Sequence, residues 1–215
     1  MTSPRPTVAP YGTWTSPVTP RMLIEQAVGL GSVTVDGGTV LWVESRPSEG
    51  GRQVLMEAAI DDLGTARELT GPDFSVRTQV HEYGGRCYAV AADQVVFSNW
   101  ADQRLWSAGR AGGTPRPLTP EPDRPRSVRY ADPVIDPSGR FVVCVRERHM
   151  ETGEVVNDIV SVPADGAGPV VELASGHDFY AAPRLAPAGD RLAWISWDHP
   201  SMPWDATQLS VAPVS

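Results

Sequence analysis

Short apolar runs alternate with tight turns over most of the chain after Gly31. The run 40–43 follows the turn Asp-Gly-Gly at 36–38, and the run 141–145 follows the turn Asp-Pro-Ser-Gly at 136–139. Turns rich in Gly, Asp and Pro between β-rich runs are typical of hairpins, because these residues adopt the backbone angles that reverse a strand. The pattern therefore predicts a chain built from antiparallel strands.

One segment near the N-terminus departs from this pattern. Thr19 and Pro20 suit the N-cap and the first position of a helix. The apolar residues that follow recur at helical spacing and would share one face. They are Leu23, Ile24, Ala27 and Val28. We expect one short helix here, within an N-terminal extension of residues 1–32.

The hairpins recur with a period of about 50 residues. Residues 133–141 align with residues 183–192, with one residue inserted in the second copy. Each unit also closes on a similar tripeptide after a strand and a Gly-containing turn, at 68–70, 117–119 and 172–174. A repeat of roughly 40–50 residues that holds four short strands is typical of a β-propeller blade.

We therefore predict an all-β fold, a partial β-propeller of about three and a half four-stranded blades over residues 33–215. The predicted blades cover about 33–70, 76–119, 129–174 and 179–215. The alternative is a β-sandwich with unrelated hairpins, which the shared tripeptides disfavour. The fourth unit reaches only its predicted third strand, and an open arc leaves sheet faces uncovered. We expect a continuation of the chain, a partner or self-association to cover them.

The composition narrows the classes of function. The net charge is −8 and all 18 basic residues are arginine, without a basic cluster, which argues against nucleic acid as the main partner. No apolar stretch approaches the roughly 20 residues that span a bilayer, and no signal peptide is visible. Cys87 and Cys144 lie in apolar runs, so we expect buried thiols rather than a disulfide, and a cytoplasmic location.

Four segments, in order along the chain, resemble one known family. They are residues 10–17, 42–52, 80–85 and 197–205. The third, Val-His-Glu-Tyr-Gly-Gly, and the fourth, Trp-Asp-His-Pro-Ser-Met-Pro-Trp-Asp, have the most unusual compositions. Together the segments are similar to the propeller of bacterial S9-family (prolyl oligopeptidase) serine peptidases of the dipeptidyl aminopeptidase and acylaminoacyl-peptidase type.

The resemblance implies a larger enzyme, in which a propeller precedes an α/β-hydrolase domain with a Ser-Asp-His triad and admits only short peptides to it. This sequence contains no Gly-x-Ser-x-Gly nucleophile motif. We therefore expect the noncatalytic, substrate-gating portion of such a peptidase, with the C-terminal hydrolase domain as its partner and no cofactor. We expect no hydrolysis by this chain alone. A stand-alone propeller that binds other proteins is the alternative.

The third resembling segment supplies the first candidate site. We expect His81, Glu82 and Tyr83 to face the propeller channel or the hydrolase domain, with Glu82 able to meet the amino group of a peptide. The alternative is a structural turn, in which Glu82 accepts hydrogen bonds from loop amides while Gly84 and Gly85 allow a tight bend.

The fourth resembling segment, 197–205, is predicted to be a loop between the second and third strands of the last blade. We expect it to line the substrate cavity or to pack on the hydrolase domain. Its candidate residues are Trp197, Asp198, His199, Trp204 and Asp205. The alternative is a loop that folds over its own blade, with Asp198 and Asp205 bound to backbone amides.

Two further groups of polar residues favour structural interpretations. Alternating charges around Gly50 fit a solvated hairpin tip with screened ion pairs; these are Glu44, Arg46, Glu49 and Arg52. The four histidines have neither i,i+2 nor i,i+4 ligand spacing and fall at different blade positions, so we expect no metal site. They are His81, His149, His177 and His199.

Overall fold

The computed structural model describes residues 8–25 and 27–214, and leaves the side chains of residues 23–25 undescribed. An α-helix, α1 (Pro20–Glu25), begins where predicted, and the Thr19 hydroxyl accepts a hydrogen bond from the Met22 amide at 3.2 Å. Its predicted apolar residues Leu23 and Ile24 lie outside the described side chains. The prediction that the helix includes Ala27 and Val28 is wrong, because it ends at Glu25 and an extended strand follows. No helix in the described ranges could cross a bilayer.

The remaining regular structure is antiparallel β-sheet, and each sheet pairs its strands in chain order. The first sheet contains β1 (Gly29–Asp36), β2 (Thr39–Arg46), β3 (Arg52–Ala59) and β4 (Asp62–Glu68), with a 3₁₀ turn at Pro47–Glu49. The second contains β5 (Tyr88–Ala91), β6 (Gln94–Ser98), β7 (Leu105–Gly109) and β8 (Arg116–Pro117). The third contains β9 (Val128–Ile135), β10 (Phe141–His149), β11 (Val155–Pro163) and β12 (Val171–Ala174). The fourth contains β13 (Phe179–Leu185), β14 (Arg191–Trp197) and β15 (Gln208–Pro213).

Three four-stranded meanders and one three-stranded meander confirm the predicted fold class, an all-β partial propeller with a short N-terminal helix. The fourth sheet ends on its third strand, β15, as the sequence predicted. Strand β1 begins at Gly29 and β5 at Tyr88, whereas the predicted units start at 33 and 76. The division into an extension and separate blades stays a prediction.

The hydrophobic cores lie between successive sheets. Alternate residues of a strand point to opposite faces, and in β6 Val95 and Phe97 pack with the first sheet while Val96 packs with the third. In β10, Val142 packs with the second sheet and Val143 with the fourth. The sheets therefore stack face to face in chain order, which is the radial arrangement of propeller blades.

The outer faces of the first and last sheets carry exposed apolar side chains. Leu30 and Leu63 on the first sheet are 71% and 64% exposed, and Leu209 and Val211 on the last are 71% and 60% exposed. In the interior of the stack the equivalent faces are buried. Exposed apolar patches of this kind mark surfaces that pack against something else.

Both cysteines lie in the stacked cores, as the sequence predicted. Cys87 and Cys144 are buried and unpaired. Burial raises the pKa of the Cys87 thiol to about 12 and also raises that of Cys144. The two thiols therefore act as small apolar side chains rather than as nucleophiles.

Candidate functional site

The two most distinctive segments of the sequence meet at one edge of the propeller. In an antiparallel meander the first strand starts and the second strand ends at the same edge of the sheet. The turn at His81 leads into β5, a first strand, and segment 197–205 follows β14, a second strand. The ring centroid of His81 lies 5.6 Å from that of Trp197 and 5.2 Å from that of Phe179. The fold therefore joins side chains that are far apart in the sequence.

The turn that contains His81 has an unusual backbone. His81 and Glu82 have φ angles of 56° and 65°, and this left-handed conformation costs a non-glycine residue about 1–2 kcal/mol. A Cβ on Gly84 would lie 3.0 Å from the Thr78 carbonyl oxygen, so the position requires glycine. The His81 amide donates a hydrogen bond to Glu147 Oε2 at 2.6 Å, which holds the turn. Strain that the surroundings enforce is typical of functional sites.

The Glu82 carboxylate is exposed but engaged with two side chains. Its Oε1 accepts a hydrogen bond from Arg129 at 2.7 Å, and its Oε2 accepts one from Gln79 Nε2 at 2.9 Å. The bond from Arg129, and then that from Gln79, lowers the pKa of Glu82. These two bonds to Glu82 come from side chains, and the loop amide of His81 binds Glu147 instead, whereas the tight bend at Gly84 that the structural alternative also predicted is present.

Glu82 belongs to a cluster of acids and bases around Arg129. Glu147 is 2% exposed; its Oε1 lies 3.2 Å from Arg129 Nη1 and 2.7 Å from His149 Nε2. The ligand atoms of Glu82, Glu147 and His149 lie within 4.8 Å of one another, a spacing at which three ligands could share a metal ion. Arg129 forms ion pairs with both carboxylates, so its guanidinium balances their negative charge without a metal ion. In the described part of the chain, no such group includes His81, His177 or His199.

The imidazole of His81 is largely enclosed. Burial lowers its pKa, while the negative charges of Glu147 and Asp132 and the nearby Asn157 side chain act in the opposite direction. Neither His81 Nε2 nor Asn157 Oδ1 makes a hydrogen bond of regular geometry, although both atoms are buried. His81 is therefore neutral at pH 7.

Segment 197–205 contains one buried anchor and one exposed aromatic ring. Trp197 is 6% exposed and stacks on Phe179 with a centroid distance of 5.2 Å and an interplanar angle of 12°. Trp204 is 76% exposed. Asp205 accepts a hydrogen bond from the Met202 amide at 3.0 Å, which closes a turn within the loop. The loop is thus fixed at its start and presents an apolar side chain at its tip.

Two crossed Asp–His pairs fix the start of this loop to the start of β13. Asp198 Oδ2 lies 2.8 Å from His177 Nδ1, and Asp178 Oδ2 lies 3.0 Å from His199 Nδ1. Asp198 Oδ1 also accepts a hydrogen bond from the Asp178 amide at 2.8 Å. The bond to His177 lowers the pKa of Asp198, and bonds to the His199 backbone and then its ring lower that of Asp178. The contacts of Asp198 and Asp205 with backbone amides, which belong to the alternative of a loop folded over its own blade, are therefore present.

A cavity of about 330 Å³ lies between the turn at His81, the loop after Trp197 and the inner strands β9 and β13. Its most distinctive lining residues are His81, Tyr83, Asp132, Tyr180, Trp197 and Pro203. Asp198 and His199 line a neighbouring cavity of about 360 Å³. Glu82, Trp204 and Asp205 are exposed and are not among the residues that line the first cavity. Of the sequence candidates, His81, Tyr83 and Trp197 therefore share one site.

Sequence reasoning missed Asp132, which joins three neighbouring units. Its Oδ1 accepts a hydrogen bond from the Arg86 amide, and its Oδ2 accepts one from the Ala182 amide, each at 2.7 Å. It has a φ of 53° at a β-bulge, as do Ser32 with 53° and Ala182 with 50° in their own inner strands. In the sequence repeat, Asp132 and Ala182 each come directly before one of the two aligned prolines, Pro133 and Pro183. Alignment of the repeats could therefore have pointed to the position of Asp132.

The charged cluster beside Gly50 forms the predicted ion pairs, but Glu44, Arg46 and Arg52 are half-buried rather than solvated. Arg46 lies 2.7 Å from Glu44, and Arg52 lies 2.6 Å from Glu49. Arg52 also pairs with Glu68 of β4 at 2.7 Å. These pairs tie the tip of the β2–β3 hairpin to the edge strand of its sheet, which supports the structural interpretation.

Comparison with known proteins shows which proteins this chain resembles in sequence and fold. No family model and no curated protein matches the chain. A puromycin-hydrolyzing peptidase of Mycobacterium tuberculosis is similar over 98% of this chain and 34% of its own, with 40% identity and a TM-score of 0.85. A puromycin hydrolase is similar over 97% of this chain and 34% of its own, with 35% identity and a TM-score of 0.83. The tricorn protease, at 16% identity and a TM-score of 0.59, shares the fold alone.

The stacked meanders and these matches show a β-propeller portion that is similar to part of two peptidases. It spans about a third of the length of the two peptidases to which it is similar. Over nearly all of its length the chain is thus similar, in both sequence and fold, to the N-terminal β-propeller portion of S9-family peptidases.

Proposed function

We propose that this chain is the noncatalytic portion of a serine peptidase of the acylaminoacyl-peptidase type and limits access to the active site to short peptides. The peptide bond would be cleaved by a Ser-Asp-His α/β-hydrolase domain, since the sequence lacks the Gly-x-Ser-x-Gly motif. We place the protein in the cytoplasm, because its two buried cysteines are unpaired thiols.

The observation that carries this proposal is the meeting of two loops at one edge of the propeller. The strained turn at His81 and the anchored loop after Trp197 enclose a cavity there. Trp204 is exposed at the same edge. A cavity, an exposed aromatic ring and enforced backbone strain together suit a surface that faces a substrate and a second domain.

The proposal is tested by comparing this chain with a longer polypeptide that continues through a hydrolase domain. The substrates are chromogenic aminoacyl compounds and peptides of increasing length. We expect no turnover by this chain, and turnover by the longer protein that falls steeply with peptide length. Shortening the 197–205 loop in the longer protein should let longer peptides in, whereas altering the β5–β6 turn at the opposite edge should not.

Two results would contradict the proposal. One is turnover by this chain alone that a serine-directed inhibitor abolishes. The other is a gene in which no hydrolase domain with a Gly-x-Ser-x-Gly motif follows this chain. The exposed apolar faces of the first and last sheets would then favour the alternative, a protein-binding propeller module completed by self-association.

A further inference from the structure

The cavity between the His81 turn and the loop after Trp197 has an unbalanced charge. Asp132 supplies a carboxylate to its lining, and the described lining residues include no lysine or arginine. His81 is neutral at pH 7, because burial lowers its pKa. Burial also raises the pKa values of Tyr83 and Tyr180, so both phenols are neutral. The lining therefore carries a net negative charge.

Asp132 has hydrogen-bonding capacity left for a ligand. A carboxylate offers about four acceptor positions. The two hydrogen bonds to Asp132 come from the Arg86 and Ala182 amides, one on each oxygen. These bonds fix the orientation of the carboxylate without neutralising its charge. Its remaining lone pairs are available to a donor in the cavity.

The bulge of the third sheet carries a carboxylate, Asp132, where the equivalent bulges carry other residues. The equivalent bulges of the first and fourth sheets hold Ser32 and Ala182, with nearly the same left-handed φ angles as Asp132. The bulge itself therefore does not require a carboxylate. Among these three bulges of the described residues, the one in the third sheet carries the carboxylate, and that carboxylate lines the cavity next to the turn at His81.

The other walls suit an organic cation. Tyr83, Tyr180 and Trp197 line the cavity, and Tyr83 is 69% exposed. Aromatic faces attract cations, and the attraction grows where the cation is desolvated. The charges of Asp132 and Glu147, after burial, contribute to the raised pKa of Tyr83, so their field reaches this wall.

We propose that this cavity binds the ammonium group of an organic amine. Asp132 accepts its hydrogen bonds, and Tyr83 and Trp197 pack against the carbon chain that carries it. A volume of about 330 Å³ is at the lower end for ligand sites, so one amino-acid-sized group fits and a folded partner does not. That the amine belongs to a peptide substrate rests on the proposed function, whereas the binding itself can be measured on this chain.

The test uses three probes of the same shape and different charge. They are 2-phenylethylammonium, 2-phenylethanol and 3-phenylpropionate, titrated into this chain at pH 7 and low salt with detection by NMR. We expect the ammonium to bind about tenfold more tightly than the alcohol, since one desolvated charge-assisted contact is worth about 1.4 kcal/mol. The carboxylate should show no binding.

Variants locate the site. Asp132→Asn should reduce the affinity for the ammonium to that for the alcohol, and Tyr83→Ala should weaken both. Asp61→Asn, an exposed acid in the β3–β4 turn at the opposite edge, should change neither. Thermal unfolding shows whether each variant is folded. If Asp132→Asn does not fold, the comparison of the three probes on the wild-type chain and the Tyr83→Ala variant still test the proposal.

Equal affinity for the ammonium and the alcohol would overturn the proposal. So would a preference for the ammonium that a folded Asp132→Asn variant retains. Neither result depends on length selection in a longer peptidase, so this assignment and the proposed gating function can fail separately.

Discussion

Asp132 shows how a single residue can serve both packing and chemistry. Its carboxylate joins backbone amides at Arg86 and Ala182, one from each neighbouring unit. Its approach to the turn at His81 is possible only because residue 85 is glycine. A Cβ there would lie 2.9 Å from Asp132 Oδ1 and 3.3 Å from the Ala131 Cβ.

Substitution of this glycine is the test at the residue scale. We expect Gly85→Ala to lower the free energy of unfolding by about 1–3 kcal/mol, because an anchored carboxylate must move. Gly38→Ala is the matched control, since a Cβ there meets nothing within 4 Å. Its effect should stay within about 0.5 kcal/mol. Urea unfolding of both variants measures the difference, and equal stabilities would contradict the role given to Gly85.

At the scale of elements, the hairpins were predictable because their signals are local. The turn at 136–139 and its counterpart one repeat later fix the strands on either side of them. The contact between His81 and Trp197 was not predictable, since it depends on how far one blade reaches across the next. Asp132 was missed because its role comes from amides in other units. The helix was predicted too long because the extended β1 strand begins at Gly29.

The β9–β10 hairpin makes a prediction about pH. Asp136 Oδ1 accepts hydrogen bonds from the Arg140 amide at 2.6 Å and the Phe141 amide at 2.8 Å, and Oδ2 accepts one from the Ser138 amide at 2.9 Å. Burial alone would raise the pKa of Asp136, but the bonds from Ser138, Phe141 and Arg140 together lower it. The folded state therefore binds this proton less tightly than the unfolded state, whose pKa is about 3.9.

Asp136→Asn should accordingly destabilise the chain by about 2 kcal/mol at neutral pH. The stability that the ionised Asp136 contributes is fully present above the unfolded pKa and is lost as the pH falls through the lower, folded pKa. The difference between wild type and variant should be constant from pH 5 to 8 and shrink below about pH 4. Thermal unfolding across this range measures it. A difference that grows on acidification would contradict the assignment.

At the scale of the whole molecule, the sheets stack in order and leave apolar faces at both ends. Leu30 and Leu209 are each 71% exposed on these faces. We expect the isolated chain to self-associate as its concentration rises, because burial of apolar area is favourable by about 25 cal/mol per Å². The double variant Leu30→Lys with Leu209→Lys should remain monomeric in analytical ultracentrifugation with an unchanged unfolding temperature. A wild-type chain that stays monomeric at high concentration would contradict this.

The same stacking separates the two edges of the propeller. One edge carries the turn at His81 and the loop after Trp197. The opposite edge carries the β1–β2, β5–β6 and β9–β10 turns. If the chain gates a hydrolase domain, only the first edge should be covered in the longer protein.

Hydrogen–deuterium exchange of this chain and of the longer polypeptide tests that claim most directly. We expect amides at 82–84 and 199–206 to exchange more slowly in the longer protein, while amides in the turns of the opposite edge exchange at the same rate in both. Unchanged exchange at 82–84 and 199–206, or protection of the opposite edge instead, would contradict the proposal that this face meets the catalytic domain.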